Sequence, residues 1–414
     1  MACSSRVAPR DRSRSRRRHS PRRTSRSPPL RHHACGLPPD RHAARPRGAP
    51  TPDRPRSGAL RTSDQRRPSI RRIVGRRRPS PTERPSNVGI SPVTGYTVAL
   101  TRAHLLRHAP SARQGAEAAA VDIAQDLLLR HLHDIGLLEQ LAFKGGTALR
   151  KLYAGSAGRF SLDLDFSVRD LDGDADATFE LLTESVAELE LGPFRYGTKE
   201  RRGKTLLLIS TDLTTTNELS SKLDVNPPSW LEPIHRPWVP MPVHSQYGGP
   251  LPPLTVVRLE ENVAEKIARL NRTTTARDVY DLVWLWKNYR DGGGMDFALI
   301  RRLAVLKIWV DAYGLTGPSP LHWKPGHESY PFDPEHWLRS RPEEEFDSED
   351  IGQLSVPAPK LDELAADLVK GYGSLRDLDA DEMVIAQLDA TERPRVLRML
   401  ADLPGTRLSR SSVW

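Results

Sequence analysis

The sequence predicts an α+β fold, with a mixed sheet in a core at residues 98–255, a mostly helical C-terminal domain at 256–414 and a disordered tail at 1–95. Three observations lead there. Between residues 141 and 226 apolar residues follow strand and helix periods in the order strand, helix, strand, helix, strand, strand. After residue 256 the period is helical. Before residue 95 the chain is mostly Arg, Pro, Ser, Ala and His, with too little apolar surface to offset the entropy of ordering.

Charge divides in the same way. Through Ile90 there are 25 Arg and no Lys against five Asp or Glu, a balance of +20 in a chain of +10, so the remainder is acidic at −10. Clusters such as Arg16–Arg18 and Arg76–Arg78 suit nucleic-acid phosphates. A compositionally biased run names no partner, however, and the favoured expectation is a segment without a selected role, which a later translation start would remove. Both cysteines, Cys3 and Cys35, fall in the tail, so disulfides, Cys-based zinc sites and thiol nucleophiles are excluded from the rest. No run reaches the roughly 20 apolar residues of a membrane span and no secretory signal opens the chain. The tail has the Arg- and Ser-rich composition of a transit peptide but too many prolines for its amphipathic helix. A cytoplasmic protein without membrane association is expected.

Element by element, Val121, Ile123, Ala124, Leu127, Leu128 and Leu132 predict an amphipathic helix within Ala112 to Leu141. Leu141-Ala142-Phe143 is a short strand running into Gly145-Gly146, and a second helix is expected over Thr147 to Tyr153 with Thr147 as its N-cap. Ser161 to Val168 alternates as a strand, Asp170 to Leu191 is helical, and Lys204 to Thr211 and Leu219 to Asn226 are strands. Residues 227–253 are dense in Pro, Trp and Gly and read as an ordered loop. Helices follow at Arg258 to Leu270, Thr275 to Asn288, Phe297 to Tyr313, Leu361 to Tyr372 and Ala380 to Leu403, with a Pro- and Trp-rich loop from Gly317 to Pro342. Gly203-Lys204-Thr205 is reminiscent of a P-loop, but the glycine spacing is wrong and a strand follows, so residues 197–205 read as a hairpin turn.

The densest chemical signal is Phe143-Lys144-Gly145-Gly146-Thr147-Ala148-Leu149-Arg150 followed by Arg159-Phe160-Ser161-Leu162-Asp163-Leu164-Asp165-Phe166. On a strand Asp163 and Asp165 share one face while Leu162, Leu164 and Phe166 take the other, buried one. Two such carboxylates suit Mg²⁺, which takes oxygen ligands and keeps substrate phosphates in its shell. Gly145 and Gly146 let backbone N–H groups approach a phosphate at a helix N-terminus. Thr147 offers a hydroxyl to the same anion, and Arg150, one turn on, is placed to reach a triphosphate or the aspartates. A third carboxylate is expected on a neighbouring strand; Asp224 is the candidate, on one face with Lys222, and Asp212 competes with it. His131 and His133 lie on different helix faces and do not share a metal.

Gly-Gly-Thr-Ala-Leu-Arg, then Arg159-x-Ser161-x-Asp163-Leu-Asp165-Phe166, resembles the AbiEii/AbiGii family of nucleotidyltransferase toxins, relatives of the mycobacterial MenT toxins in the DNA polymerase β-like superfamily. Leu259-Glu260-Glu261-x-x-Ala264-Glu265-Lys266-Ile267 and Arg277-Asp278-Val279-Tyr280-Asp281-Leu282 resemble its later Lys and Arg-Asp motifs, so the likeness spans about Val98 to Leu403.

The resemblance implies a polymerase β-like core that transfers NMP from an NTP to an RNA acceptor, for instance a tRNA 3′ end, and a separately encoded antitoxin partner. It adds Ser161 and Lys266 to the nucleotide site and Asp278 to the catalytic set of Asp163, Asp165, Asp224 and Lys266. On chemistry alone, Lys266 is a compact cation suited to a triphosphate or else a surface ion-pair partner of Glu261 or Glu265. Asp278 equally serves a helix N-terminus or a salt bridge with Arg277. An acceptor other than RNA, small molecule or protein, and a catalytically idle binding protein are the alternatives.

Overall fold

The computed structural model describes residues 97–109, 115–216, 218–273, 275–290, 294–315, 332 and 351–408. The tail at 1–95, the first residues of the helix expected from Ala112, and the loop from Gly317 to Pro342 apart from Phe332 lie outside the described residues.

Helix α1 (Arg102–His108) leads to α2 (Gly115–Asp134), then β1 (Leu141–Lys144) and α3 (Gly145–Leu149), which continues as one π turn over Arg150–Ala154. Next come β2 (Asp163–Val168), α4 (Ala175–Ser185), β3 (Glu190–Leu191), β4 (Phe194–Arg201), β5 (Lys204–Ser210), β6 (Glu218–Asn226), β7 (Ile234–Arg236) and β8 (Leu254–Val256). Helices α5 (Leu259–Arg272), α6 (Ala276–Tyr289), α7 (Phe297–Tyr313), α8 (Leu361–Tyr372), α9 (Ala380–Ile385) and α10 (Arg393–Ala401) follow. The strands form one sheet in the order β3-β4-β5-β6-β2-β1-β8-β7. Pairs β2–β6 and β1–β8 are parallel and the others antiparallel, so the sheet is mixed and the fold α+β, as predicted.

Four elements depart from expectation. Helix α2 has the expected apolar and polar faces but is buried on both: Asp122, Gln125, Asp126 and Arg130, its polar side, are as buried as its leucines. Spacing shows where apolar residues recur, not whether other elements close over the polar face. The helix expected over 170–191 shortens to α4, because the Asp174 carboxylate accepts the N–H groups of Asp176 and Ala177 and starts it there, while Glu190–Leu191 pairs with β4. The loop at 227–253 contains β7, which pairs with β8. The helix expected over 380–403 is two, with Leu388 at positive φ between them and Pro394 opening the second. The hairpin reading of 197–205 holds: Arg201 pairs with Lys204 across Arg202-Gly203.

Candidate active site

The site forms where β1 ends against the middle of the sheet. Lys144 lies opposite Asp165 in the antiparallel β1–β2 register, and the parallel β2–β6 register sets Asp163 beside Lys222 and Asp165 beside Asp224. One face of the central strands thus carries Asp163, Asp165, Lys222 and Asp224, while Leu164, Phe166 and Leu223 are buried. Leu162 departs from the pattern: it precedes the strand and is 52% exposed.

Gly145 takes φ +79° and turns the chain from β1 into α3. A Cβ there would lie 3.3 Å from Asp165 Cβ and Cγ and closer still to its Oδ2, so the bend rests directly on the carboxylate. A Cβ on Gly146 would run into the Arg159 guanidinium and come 3.1 Å from Ser161 Oγ. Glycine is required at both positions because a functional side chain occupies the space a β-carbon needs.

These groups border a cavity of about 580 Å³ whose lining includes nine Lys or Arg and five carboxylates. Helix α5 supplies one wall with Asn262, Glu265, Lys266, Arg269 and Arg272, a stripe at helical spacing, and α7 closes it with Lys307 and Asp311. Most of the cations are held in place by acids. Lys266 is buried, 2.7 Å from Asp278 Oδ1 and 2.9 Å from Asp281 Oδ2. Arg159 meets Asp281 with two parallel bonds of 3.0 and 3.1 Å. Asp278 also accepts from Arg269 and from the Thr275 hydroxyl. Burial opposes its charge, but Lys266 and Arg269 override that and hold its carboxyl far below the usual range. Glu265 is likewise desolvated yet held down to about 2 by Lys144, at 2.8 Å, and Lys307.

The acids of the sheet are crowded instead. Burial first, then Asp163, raises the Asp165 carboxyl above its ordinary value, against the pull of Lys222 and Lys144. Among the described residues no group of three or more acids or histidines converges on one point, and Asp224 is bonded to Lys222 at 2.6 Å. The donor set therefore fits a hard cation held by one or two carboxylates and completed by substrate phosphates, not a closed protein cage.

The cavity brings together Gly145, Gly146, Ser161, Asp163, Asp165, Asp224 and Lys266 of the sequence-derived residues. Asp278 lies behind Lys266, and the ion-pair partners foreseen for that lysine, Glu261 and Glu265, bind Lys307 instead. Asp212 is in a turn after β5 and does not border the cavity. Two residues are placed elsewhere. Thr147 is not an N-cap, since the helix begins at Gly145; it is fully buried and its hydroxyl donates to the Asp163 carbonyl, fixing β2 from behind. Arg150 faces away: its Nε lies 3.0 Å from both Asp122 oxygens, Nη1 donates to the carbonyls of Gly155 and Gly158, and Phe160 stacks on it at 3.8 Å. Sequence reasoning assigned no role to Lys144, Arg159, Arg269 or Lys307. The period running from Lys266 pointed to Arg269; nothing in the local sequence pointed to Lys307.

Paired acids and a glycine bend bordering a cation-lined cavity of nucleotide size, on a mixed sheet backed by helices, define a nucleotidyltransferase. The chain belongs to the AbiEii family: residues 126–367 match the family model described as nucleotidyl transferase AbiEii toxin, type IV toxin–antitoxin system. Among solved structures it is similar to MenT4, a nucleotidyltransferase toxin of Mycobacterium tuberculosis H37Rv, at 34% identity over 73% of this chain and 99% of that one, with a TM-score of 0.63. An antigenic nucleotidyltransferase-like protein of Paracoccidioides brasiliensis is 14% identical over 41% of this chain and 76% of its own, with a TM-score of 0.29. No curated protein matches. Among the described residues no helix is long and apolar enough to cross a membrane.

Proposed function

We propose that this toxin transfers NMP from an Mg²⁺-bound NTP to a hydroxyl of an RNA acceptor, the 3′ end of a tRNA being the expected one, in the cytoplasm and under the control of a cognate antitoxin. Residues 98–255 are the catalytic core in this reading, and 256–414 supply the helical wall of the nucleotide cavity. The observation that carries it is the contact between the glycine bend and Asp165 inside a cavity where cations outnumber acids nine to five. Asp163 and Asp165, with Asp224, would hold Mg²⁺, which supplies charge neutralisation on the triphosphate and a lowered pKa for the acceptor hydroxyl. The backbone at Gly145 and Gly146, the Ser161 hydroxyl and Lys266 bind and orient the triphosphate, and Arg159 and Arg269 flank it. The acceptor oxygen forms a bond to the α-phosphorus, the bond to the bridging oxygen of the β-phosphate breaks, and pyrophosphate leaves. The hydroxyl proton passes to Asp224, where Lys222 holds the carboxylate 2.6 Å away. Asp278 and Asp281 position Lys266 and Arg159. An RNA acceptor is supported by the β4–β5 hairpin, whose exposed Lys199, Arg201, Arg202 and Lys204 form a basic edge with Lys204 on the cavity rim.

The test is to incubate the protein with α-labelled NTP and, separately, total RNA, total protein and small metabolites. Label entering RNA with wild type and falling at least about a hundredfold with a folded Asp165→Ala variant supports the reading. Label entering protein or metabolites alone removes the RNA acceptor, and equal labelling by Asp165→Ala removes the metal-site assignment.

A further inference from the structure

The cavity is not lined by charged groups alone: a carboxamide from β6, an indole from the segment after β6 and a carboxamide from α5 also border it, Asn226, Trp230 and Asn262. Asn226 follows Asp224 by two residues and lines the cavity with it, so it continues the acid row. Trp230 is anchored by its main-chain N–H, which donates to Glu261 Oε1 at 2.9 Å, and by Lys307 Nζ, 4.1 Å from the ring. Glu261 is the neighbour of Asn262, which places the indole at the same end of α5.

Asn262 is 3% exposed, and its Nδ2 has no hydrogen-bond partner. A buried amide donor without an acceptor is costly and rare, and on a cavity wall it marks a place where something else supplies the acceptor. Asn226 adds an acceptor: one Nδ2–H donates to the Phe166 carbonyl at 3.2 Å, which leaves its Oδ1 to accept and its second N–H to donate. Asn262 precedes Lys266 by one helical turn, about 5.4 Å along the axis. A triphosphate held at the glycine bend and Lys266 would thus be one helical turn from Asn262, a separation its nucleoside can span. A donor, an acceptor and an aromatic ring are the groups that read the edge and face of a nucleobase.

Resting on the reading of this cavity as the NTP site, we infer that Asn262, with Asn226 and Trp230, reads the base of the incoming nucleotide and sets which NTP is used. Asn262 is a specificity-determining residue and takes no part in bond making.

The experiment is equilibrium binding of the full chain, with Mg²⁺, to each of the four NTPs and to inorganic triphosphate, for wild type, Asn262→Leu and Asn262→Asp. Wild type is expected to separate best from worst NTP by at least about tenfold. Asn262→Leu, which keeps the size and removes the donor, collapses that ratio while triphosphate affinity stays within about twofold; Asn262→Asp, which replaces donor by acceptor, reorders the four. Because the amide donates to nothing in the protein, the thermal midpoint of Asn262→Leu does not fall below wild type. The inference is overturned if wild type binds all four NTPs within about twofold, an arm that needs no variant, or if either variant keeps the wild-type ranking. Failure of wild type to bind both NTPs and triphosphate would instead overturn the NTP-site reading beneath it.

Discussion

Replacing Gly145 with Ala adds one carbon and tests the geometry of the whole site. Two costs follow from the structure. The backbone sits at φ +79°, where an L-residue costs about 1–2 kcal/mol, so the thermal midpoint drops by a few degrees. The second cost is local: the new Cβ enters the space of Asp165 Oδ2, and relief of the overlap moves the carboxylate by about 1 Å. A displacement of that size at a reacting group costs roughly a hundredfold in rate, or about 2.7 kcal/mol of transition-state stabilisation. The assay is single-turnover transfer of label from α-labelled NTP to the RNA acceptor, at a temperature where both proteins are fully folded. Gly197→Ala is the control, because that glycine has nothing within 4 Å of an added Cβ and ordinary φ; its rate stays at the wild-type value. A Gly145→Ala enzyme within about threefold of wild type would refute the argument, since the bend and Asp165 would then not share a substrate.

Two further outcomes separate structure from catalysis. Arg150→Met removes one of three basic partners of buried Asp122, leaving Lys151 and His108, and strips two carbonyls of their donor, so stability falls by about 3 kcal/mol in urea unfolding, while the transfer rate per folded molecule stays within about threefold because no Arg150 atom borders the cavity. Acid sensitivity follows from Glu265 and Asp278, both held below their ordinary values by cations. Their contribution is complete above the unfolded-state pKa and is lost as pH falls from about 4.5 through the folded value of about 2 for Glu265. Urea midpoints measured between pH 7 and 3 should therefore decline from about pH 4.5 downward. Lys144→Met, which removes the nearest cation from Glu265, should shallow that decline; an unchanged slope would break the link.

What was legible in the sequence was local. Asp163, Asp165 and the glycine pair could be read because strand alternation and a glycine bend are properties of a few consecutive residues, and Asp224 because a second strand of the same period offers the same face. Arg150 and Thr147 were misread for an equally local reason. Both lie on α3 and its π turn just behind the glycine bend, three residues apart and so on one side of the helix, and that side is turned from the cavity. Which side meets the cavity depends on α2, 25 to 29 residues earlier, whose Asp122 and Asp126 draw in Arg150 and Lys151. The polar face of α2, whose spacing says nothing of what covers it, is the counter-charge for that turn.

The same logic explains why Lys266 and Arg150, both cations beside family motifs, end in different roles. Each is almost fully buried and each is paired with aspartates, so neither burial nor pairing separates them. The difference is what the remaining surface of the partner network faces. Around Arg150 the acids are shared with Lys151 and His108, two carbonyls accept from Nη1 and a phenyl ring covers the guanidinium; Nη2 is left without a hydrogen-bond partner, but Arg150 does not border the cavity, so its charge is balanced within the protein. Around Lys266 the network of Asp278, Asp281, Arg159 and Arg269 opens on the cavity through its cations, so its acids fix positive charge where a triphosphate would lie. A buried ion pair is weak evidence of stability, but one whose cation borders a cavity is a preorganised anion site. Removing Asp281 should thus weaken NTP binding without any contact to the nucleotide being lost.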